Sequence, residues 1–292
     1  MRCGSIAVRL GLCLAMALHV VCTGVGTATA AELNSPEGSL MALIRMRGSA
    51  DGREVYADWR TTAWAVVPGQ RMRPLFRLDG FNVARMEAQS DGGWRMLSRE
   101  VAYYRDLTTG EVLKTWKNPF TGLDNEVLQV LNDPVNLQFP APSAPGARRV
   151  NLVPQGPDMV LRQDVPLAYP NPLSPKDYPV ESTGETYFAS EHFTYYARRA
   201  DLEGNAASVP THYSWTRIGP WLPWMKMGQQ PGFILYVGHG SKLPDAQALD
   251  PVVREYTQKN HPQYLKAPQA WSQPNETSWT FYRKQRPPQA AQ

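Results

Sequence analysis

The chain has 292 residues, with 30 Lys and Arg against 26 Asp and Glu, a formal charge of +4 that falls to +2 (28 − 26) without Arg2 and Arg9. Its largest basic groups, "RMR", "ARR" and "RKQR", are too short to neutralise a run of phosphates. That argues against nucleic acid or an anionic membrane as the main partner. Nine tryptophans and thirteen tyrosines point instead to large buried aromatic areas of the kind that line small-molecule pockets.

Residues 1–30 read as a signal peptide. Arg2 and Arg9 open it, "LGLCLAMALHVVC" is its apolar run, and Ala28 and Ala30 supply the small residues before a cut near Ala31. About thirteen apolar residues are too few to cross a bilayer of about 30 Å. The expected destination is the periplasm or the medium, with no integral membrane span in the mature chain. Cys3, Cys13 and Cys22 all lie in the leader, so the mature protein has no disulfide and no thiolate chemistry. The remaining residues, 31–292, are expected to form a single β-rich domain stabilised by its core.

From residue 42 to 130 the pattern is one of strands. "REVYADWRTTAWAVV", "RMRPLFRLDGFNVARMEAQ", "WRMLSREVAYYRDL" and "EVLKTWKNPF" alternate and are separated by Pro68-Gly69, Asp91-Gly92-Gly93, "TTG" and Thr121-Gly122. This predicts an antiparallel meander. In the third segment Trp94, Met96, Ser98, Glu100, Ala102 and Tyr104 share one face, while Arg95, Leu97, Arg99, Val101, Tyr103 and Arg105 share the other. Neither face is purely apolar, which suits a strand beside a polar-spotted cavity and equally a plain edge strand.

A Pro-rich stretch, residues 139–149, separates two halves. Strand patterns resume in "DMVLRQDVPL", "ETYFASEHFTYYARR", "THYSWTRI" and "GFILYVGHG". One helix is expected over "PVVREYTQKN", with Asp250 as its cap, Pro251 in its first turn and Pro262 stopping it. A last strand, "TSWTFYRKQR", is expected to complete the sheet. The fold class is therefore mostly β, an antiparallel meander forming a barrel or highly curved sheet of lipocalin-like shape, with one C-terminal helix.

Several blocks together, among them "SREVAYYRDLTTGEVLKTWKNPFTG", "VLNDPVN" and "GPWLPWM", resemble an exported family of bacteria and fungi catalogued as domain of unknown function 1838. The resemblance covers nearly the whole mature chain. It implies a single exported domain and carries no mechanism.

The motifs exclude more than they assign. There is no Gly-x-Ser-x-Gly elbow and no glycine-rich phosphate cradle between a strand and a helix. His192, His212, His239 and His261 lack the spacing that puts two rings on one face, so no metal and no cofactor is expected. In "EHF", Glu191 and His192 are adjacent on a strand and point to opposite sides. The Asn-Glu-Thr at Asn275 matches a glycosylation acceptor, which a bacterial-looking leader makes a chance match.

Glu100 and His239 are the candidate acid–base residues. A carboxylate among aromatics has its pKa raised by desolvation, and glycines on both sides leave the ring of His239 uncovered. "GPWLPWMKM" cannot be a regular helix or central strand, because Pro220 and Pro223 interrupt it. Its tryptophans are expected to cap a cavity or to plug it. Arg99, Tyr103, Asn132, Trp215, Trp221, Trp224 and Lys242 are the candidate ligand contacts. Three functions remain open. The first is binding of an apolar or aromatic small molecule. The second is a cofactor-independent isomerase, lyase or hydrolase using Glu100 and His239, with Arg99 or Asn132 holding developing negative charge. The third is an envelope protein whose aromatics are only core.

Overall fold

The structure, a computed structural model, describes residues 30–147 and 149–288. Residues 1–29 of the expected leader, with all three cysteines, lie outside that set. In chain order the elements are α1 (Ala30–Leu33), α2 (Pro36–Arg47), β1 (Val55–Val66), β2 (Arg73–Ala88), β3 (Trp94–Arg105), β4 (Thr115–Lys117), β5 (Asp124–Glu126), β6 (Val130–Asn132) and β7 (Leu137–Phe139). There follow β8 (Leu152–Gln155), β9 (Asp158–Pro170), β10 (Thr186–Arg198), α3 (Arg199–Glu203), β11 (His212–Gly219), β12 (Phe233–Leu243), α4 (Pro251–Asn260) and α5 (Ser278–Gln285).

The main sheet has ten strands, all antiparallel, in the order β6-β3-β2-β1-β12-β11-β10-β9-β8, with β7 also pairing β3. The two halves of the meander meet where β1 lies along β12 through eleven paired residues, from Tyr56–Leu243 to Val66–Phe233. Most of the expected strands are thus present, but "EVLKTWKNPF" contributes only β4, which pairs β5 in a separate two-stranded sheet, and the main sheet does not close into a barrel. One edge is made of the three-residue strands β6 and β7, separated by Pro134, which has no N–H to give to a ladder. The other edge is the four-residue β8, which contains Pro154.

The edge at β6 and β7 is covered by chain without strand geometry. The Asn275 side chain mimics a ladder partner, its Nδ2 donating to the Asn136 carbonyl at 2.8 Å and its Oδ1 accepting from the Asn136 N–H at 2.9 Å. The Glu276 N–H then donates to Pro134 at 2.8 Å. Asn275 therefore serves as a structural clasp.

Helices are more numerous than expected. The α4 helix is where its caps predict, the Asp250 carboxylate accepting from Val252 N–H at 3.0 Å and Val253 N–H at 3.3 Å. The segment read as a last strand is instead α5. A reciprocal cap between Thr277 and Thr280 (2.8 and 3.2 Å) outweighs its β-favouring residues, and Trp279 and Tyr282, three apart, form its buried face. The α2 helix was also not anticipated. Ser35 caps it by accepting from Gly38 N–H at 2.9 Å, Pro36 sits in its first turn, and Leu40, Leu43, Ile44 and Met46 are buried.

Candidate functional site

The concave face of the sheet surrounds a cavity of about 420 Å³. Side chains from β1, β2, β3, β6, β9, β10, β11 and β12 line it, together with Met46 and Arg47 of α2 and the 275–279 segment. Alternation along β3 sends Met96, Glu100 and Tyr104 into this hollow, so the Glu100 face of that strand is the inner one.

Register sets the polar groups in a row. Lys242 pairs with Ala57, Ala57 with Asn82, Asn82 with Glu100, and Glu100 with Asn132. All five residues line the cavity. The Asn132 Nδ2 donates to Glu100 Oε2 at 3.0 Å. Burial pushes the Glu100 carboxyl above the ordinary carboxylate range; the Asn132 bond pulls the other way, Glu191 adds to the rise and Arg217 opposes it.

A second polar group comes from β10 and β11, where Glu191 is paired with Arg217 in register. Arg217 Nη1 donates to Glu191 Oε1 at 2.6 Å and Trp215 Nε1 donates to Glu191 Oε2 at 3.3 Å. Arg217 also donates to the Tyr187 hydroxyl, and Tyr187 stacks on Tyr169 at 4.7 Å between ring centroids. The Arg217 and Glu191 side chains keep 20% and 17% of their surface, and both line the cavity. Burial opposes the charge of Arg217, but Tyr187 and Glu191 outweigh it and the guanidinium is held above its ordinary value. The aromatic and aliphatic wall between these groups is built by Trp59, Leu167, Tyr169, Phe193, Trp215 and Tyr236.

The structure brings Glu100, Asn132, Trp215 and Lys242 to one cavity and keeps the other expected residues away from it. Arg99 and Tyr103 have the opposite parity on β3. Tyr103 bonds Thr257 Oγ1 at 2.8 Å under α4, and Arg99 pairs with Asp133 at 3.3 Å. His239 is exposed on the convex face. Its flanking glycines face inward because the space is taken: a Cβ on Gly240 would lie 1.9 Å from the Asp58 carbonyl and 2.7 Å from the Tyr213 ring, and one on Gly238 2.3 Å from Thr61 Oγ1. They admit protein neighbours, and the acid–base pair of Glu100 with His239 does not form.

Trp221 and Trp224 are in solid packing. Trp224 contacts Tyr104, Phe76 and Trp116 at centroid distances of 5.0, 5.5 and 5.7 Å, and Trp221 lies 5.4 Å from Phe120 and donates to the Gln230 carbonyl at 3.0 Å. The "GPWLPWM" block is irregular as expected, with a single 3-10 turn at Pro223–Met225, and it plugs the end of the hollow. Its Leu222 alone reaches the cavity lining.

Sequence reasoning missed Tyr187, Glu191 and Arg217. The signal was present: in "ETYFASEHF" the residues Tyr187, Ala189, Glu191 and Phe193 alternate as the β3 residues do. His192 points outward, as the strand rule requires, and forms a chain with Ser190 Oγ (2.9 Å) and Asp164 Oδ1 (2.8 Å). That trio resembles a hydrolytic triad. However, β10 is laddered on both sides, so its backbone N–H groups are not available to hold an oxyanion.

Among the described residues, no group of three or more His, Asp, Glu or Cys is placed to hold a metal ion, and no helix is long and apolar enough to cross a membrane.

One consequence of the Glu100 environment can be measured. Its folded pKa is raised above the ordinary 4.5, so the folded protein retains a proton that the unfolded chain releases. The associated stability is fully present below the ordinary pKa and is lost as pH rises through the raised one. Glu100→Gln cannot ionise. Its melting temperature relative to wild type is expected to climb as pH rises above the ordinary carboxylate value and to level off once pH passes the raised one. Parallel melting curves across that range would rule out a desolvated Glu100.

A search of curated proteins matches nothing. A family model described as "Protein of unknown function (DUF1838)" matches residues 52–286, from the turn before β1 through the last helix. The chain belongs to that family, and its cavity lies wholly within the matched span apart from Met46 and Arg47.

Proposed function

We propose that the protein binds a small, mainly apolar molecule in the cavity on the concave face of its sheet. The observation that carries this reading is the hollow itself, about 420 Å³, walled by Trp59, Leu167, Tyr169, Phe193 and Trp215 and spotted with Glu100, Asn132 and Arg217. An apolar body would displace water from the aromatic wall, while a hydroxyl or carbonyl would meet the polar row. The volume falls within the range of sites that enclose drug-sized ligands, about 300–1,000 Å³.

Trp59 and Trp215 stand in the wall, so occupancy reports itself through intrinsic fluorescence. A panel of aromatic and aliphatic compounds is expected to shift or quench emission saturably in wild type. Leu167→Trp, which fills the hollow, is expected to weaken that response at least about tenfold. A flat response across the panel, or equal titrations in the two proteins, removes the reading.

A second reading is favoured by one feature. Glu100 is a largely desolvated carboxyl in the cavity wall whose protonated form is stabilised, beside the Arg217–Glu191 pair. A cofactor-independent enzyme would use it as proton donor, with Arg217 and Asn132 balancing developing negative charge. Glu100→Gln that binds ligand normally yet still converts it at the wild-type rate would dismiss this reading. Support for export comes from the leader-like residues 1–30. Protein recovered from the native host's envelope should begin near Ala31, and envelope protein retaining Met1 would contradict it.

A further inference from the structure

We propose that the ligand is an anion, an apolar carboxylic acid whose carboxylate is held by Arg47 and Lys242 at the α2 end of the cavity. This rests on the small-molecule reading above and names the ligand's chemistry. Arg47 and Lys242 both line the hollow, and neither has a carboxylate partner among the described residues. Arg47 Nη1 donates to Gln163 Oε1 at 3.1 Å and its guanidinium lies 5.6 Å from the Tyr195 ring centroid. Lys242 Nζ donates to the carbonyls of Arg45 and Gly48, the latter at 3.1 Å.

The carboxylates of the wall are already committed. Glu191 is paired with Arg217, Glu276 with Lys284, and Glu100 is bonded by Asn132 in surroundings that favour its neutral form. The cavity therefore carries excess positive charge at one end. Burial, Arg53 and Arg45 together hold the Lys242 amine down to about 7, the behaviour of an ammonium without a counter-ion. A partly buried cation is destabilised until an anion reaches it, and the flat fork of an arginine fits a carboxylate. The apolar body of the acid then lies against Phe193, Trp215 and Leu167, farther along the same wall.

The test uses matched acid and alcohol pairs, dodecanoate with dodecanol and 2-naphthylacetate with 2-naphthaleneethanol, titrated against the full-length mature protein by fluorescence and calorimetry. Wild type should bind the acid of at least one pair about tenfold more tightly than its alcohol. In Arg47→Gln and Lys242→Met that preference should shrink to less than about threefold with alcohol affinity retained. The Arg47 side chain bonds Gln163 rather than a backbone group, so Arg47→Gln carries the test where Lys242→Met fails to fold. Equal binding of acid and alcohol by wild type, or a preference untouched in the variants, overturns the carboxylate assignment and leaves the binding reading standing. Binding of neither member of either pair overturns both.

Discussion

Asp79→Ala is expected to lower the free energy of unfolding by about 3–5 kcal/mol. The carboxylate of Asp79 is 1% exposed and is shared by two guanidiniums, Arg77 at 2.5 Å and Arg105 at 2.8 Å, while its second oxygen accepts from the Thr61 N–H at 3.3 Å. Arg105 is itself 6% exposed and reaches on to the α4 cap residue Asp250 at 3.3 Å. Removing the carboxylate leaves the buried Arg105 guanidinium only the Asp250 carboxylate and the Gly110 carbonyl, strips the Thr61 amide of its acceptor, and loosens the tie between the sheet and α4. Urea unfolding of purified variants measures the loss. Asp79→Asn should lose most of it too, because charge rather than shape holds the two arginines. Replacing both sides, Asp79→Leu with Arg105→Met, should recover a large part, since an apolar pair needs no desolvation of ions. A loss under about 1 kcal/mol for Asp79→Ala would mean that water reaches this network and that it is not a structural anchor.

The second large effect separates core from pocket at the tryptophans. Trp224→Ala is expected to destabilise by about 3–5 kcal/mol, the range for emptying a packed aromatic site. Trp224 is 3% exposed and lies within 5.7 Å, centroid to centroid, of Phe76, Tyr104 and Trp116. Trp215→Ala should behave differently. That ring is partly exposed to the cavity and stacks loosely on Phe193 at 6.2 Å, so its removal should cost less stability and more ligand response. Thermal and urea unfolding beside the fluorescence titration read both. The reverse result, a stable Trp224→Ala that has lost ligand binding, would return the "GPWLPWM" block to the pocket lining.

Those two tryptophans show why part of the site was hidden. Pro220 and Pro223 made the irregular backbone legible, and density of rings made burial legible. Whether a ring meets a void or another ring depends on Phe76, Tyr104 and Trp116, more than a hundred residues away along the chain. Glu100 was legible because strand parity groups it with Met96 and Tyr104 whatever else the fold does. Parity also separated Glu100 from Arg99 and Tyr103, but a strand read alone does not say which of its faces is inside. His239 failed for the same reason: it shares a face with Val237, and only pairing of β12 between β1 and β11 shows that this face is the convex one.

By itself the sequence determined the long antiparallel strands of each half, the capped helix after Asp250, and the resemblance that carries the family, but not that "EVLKTWKNPF" is mostly loop or that "TSWTFYRKQR" is a helix. The features it did determine follow from alternation, turn residues and caps, each readable within a window of about ten to fifteen residues. Only the tertiary structure decided that the sheet curls without closing, that Asn275 clasps its edge, and that Glu100, Glu191, Arg217 and Lys242 surround one hollow. Those facts depend on register between strands far apart along the chain, and register is set by long-range packing that no local pattern encodes.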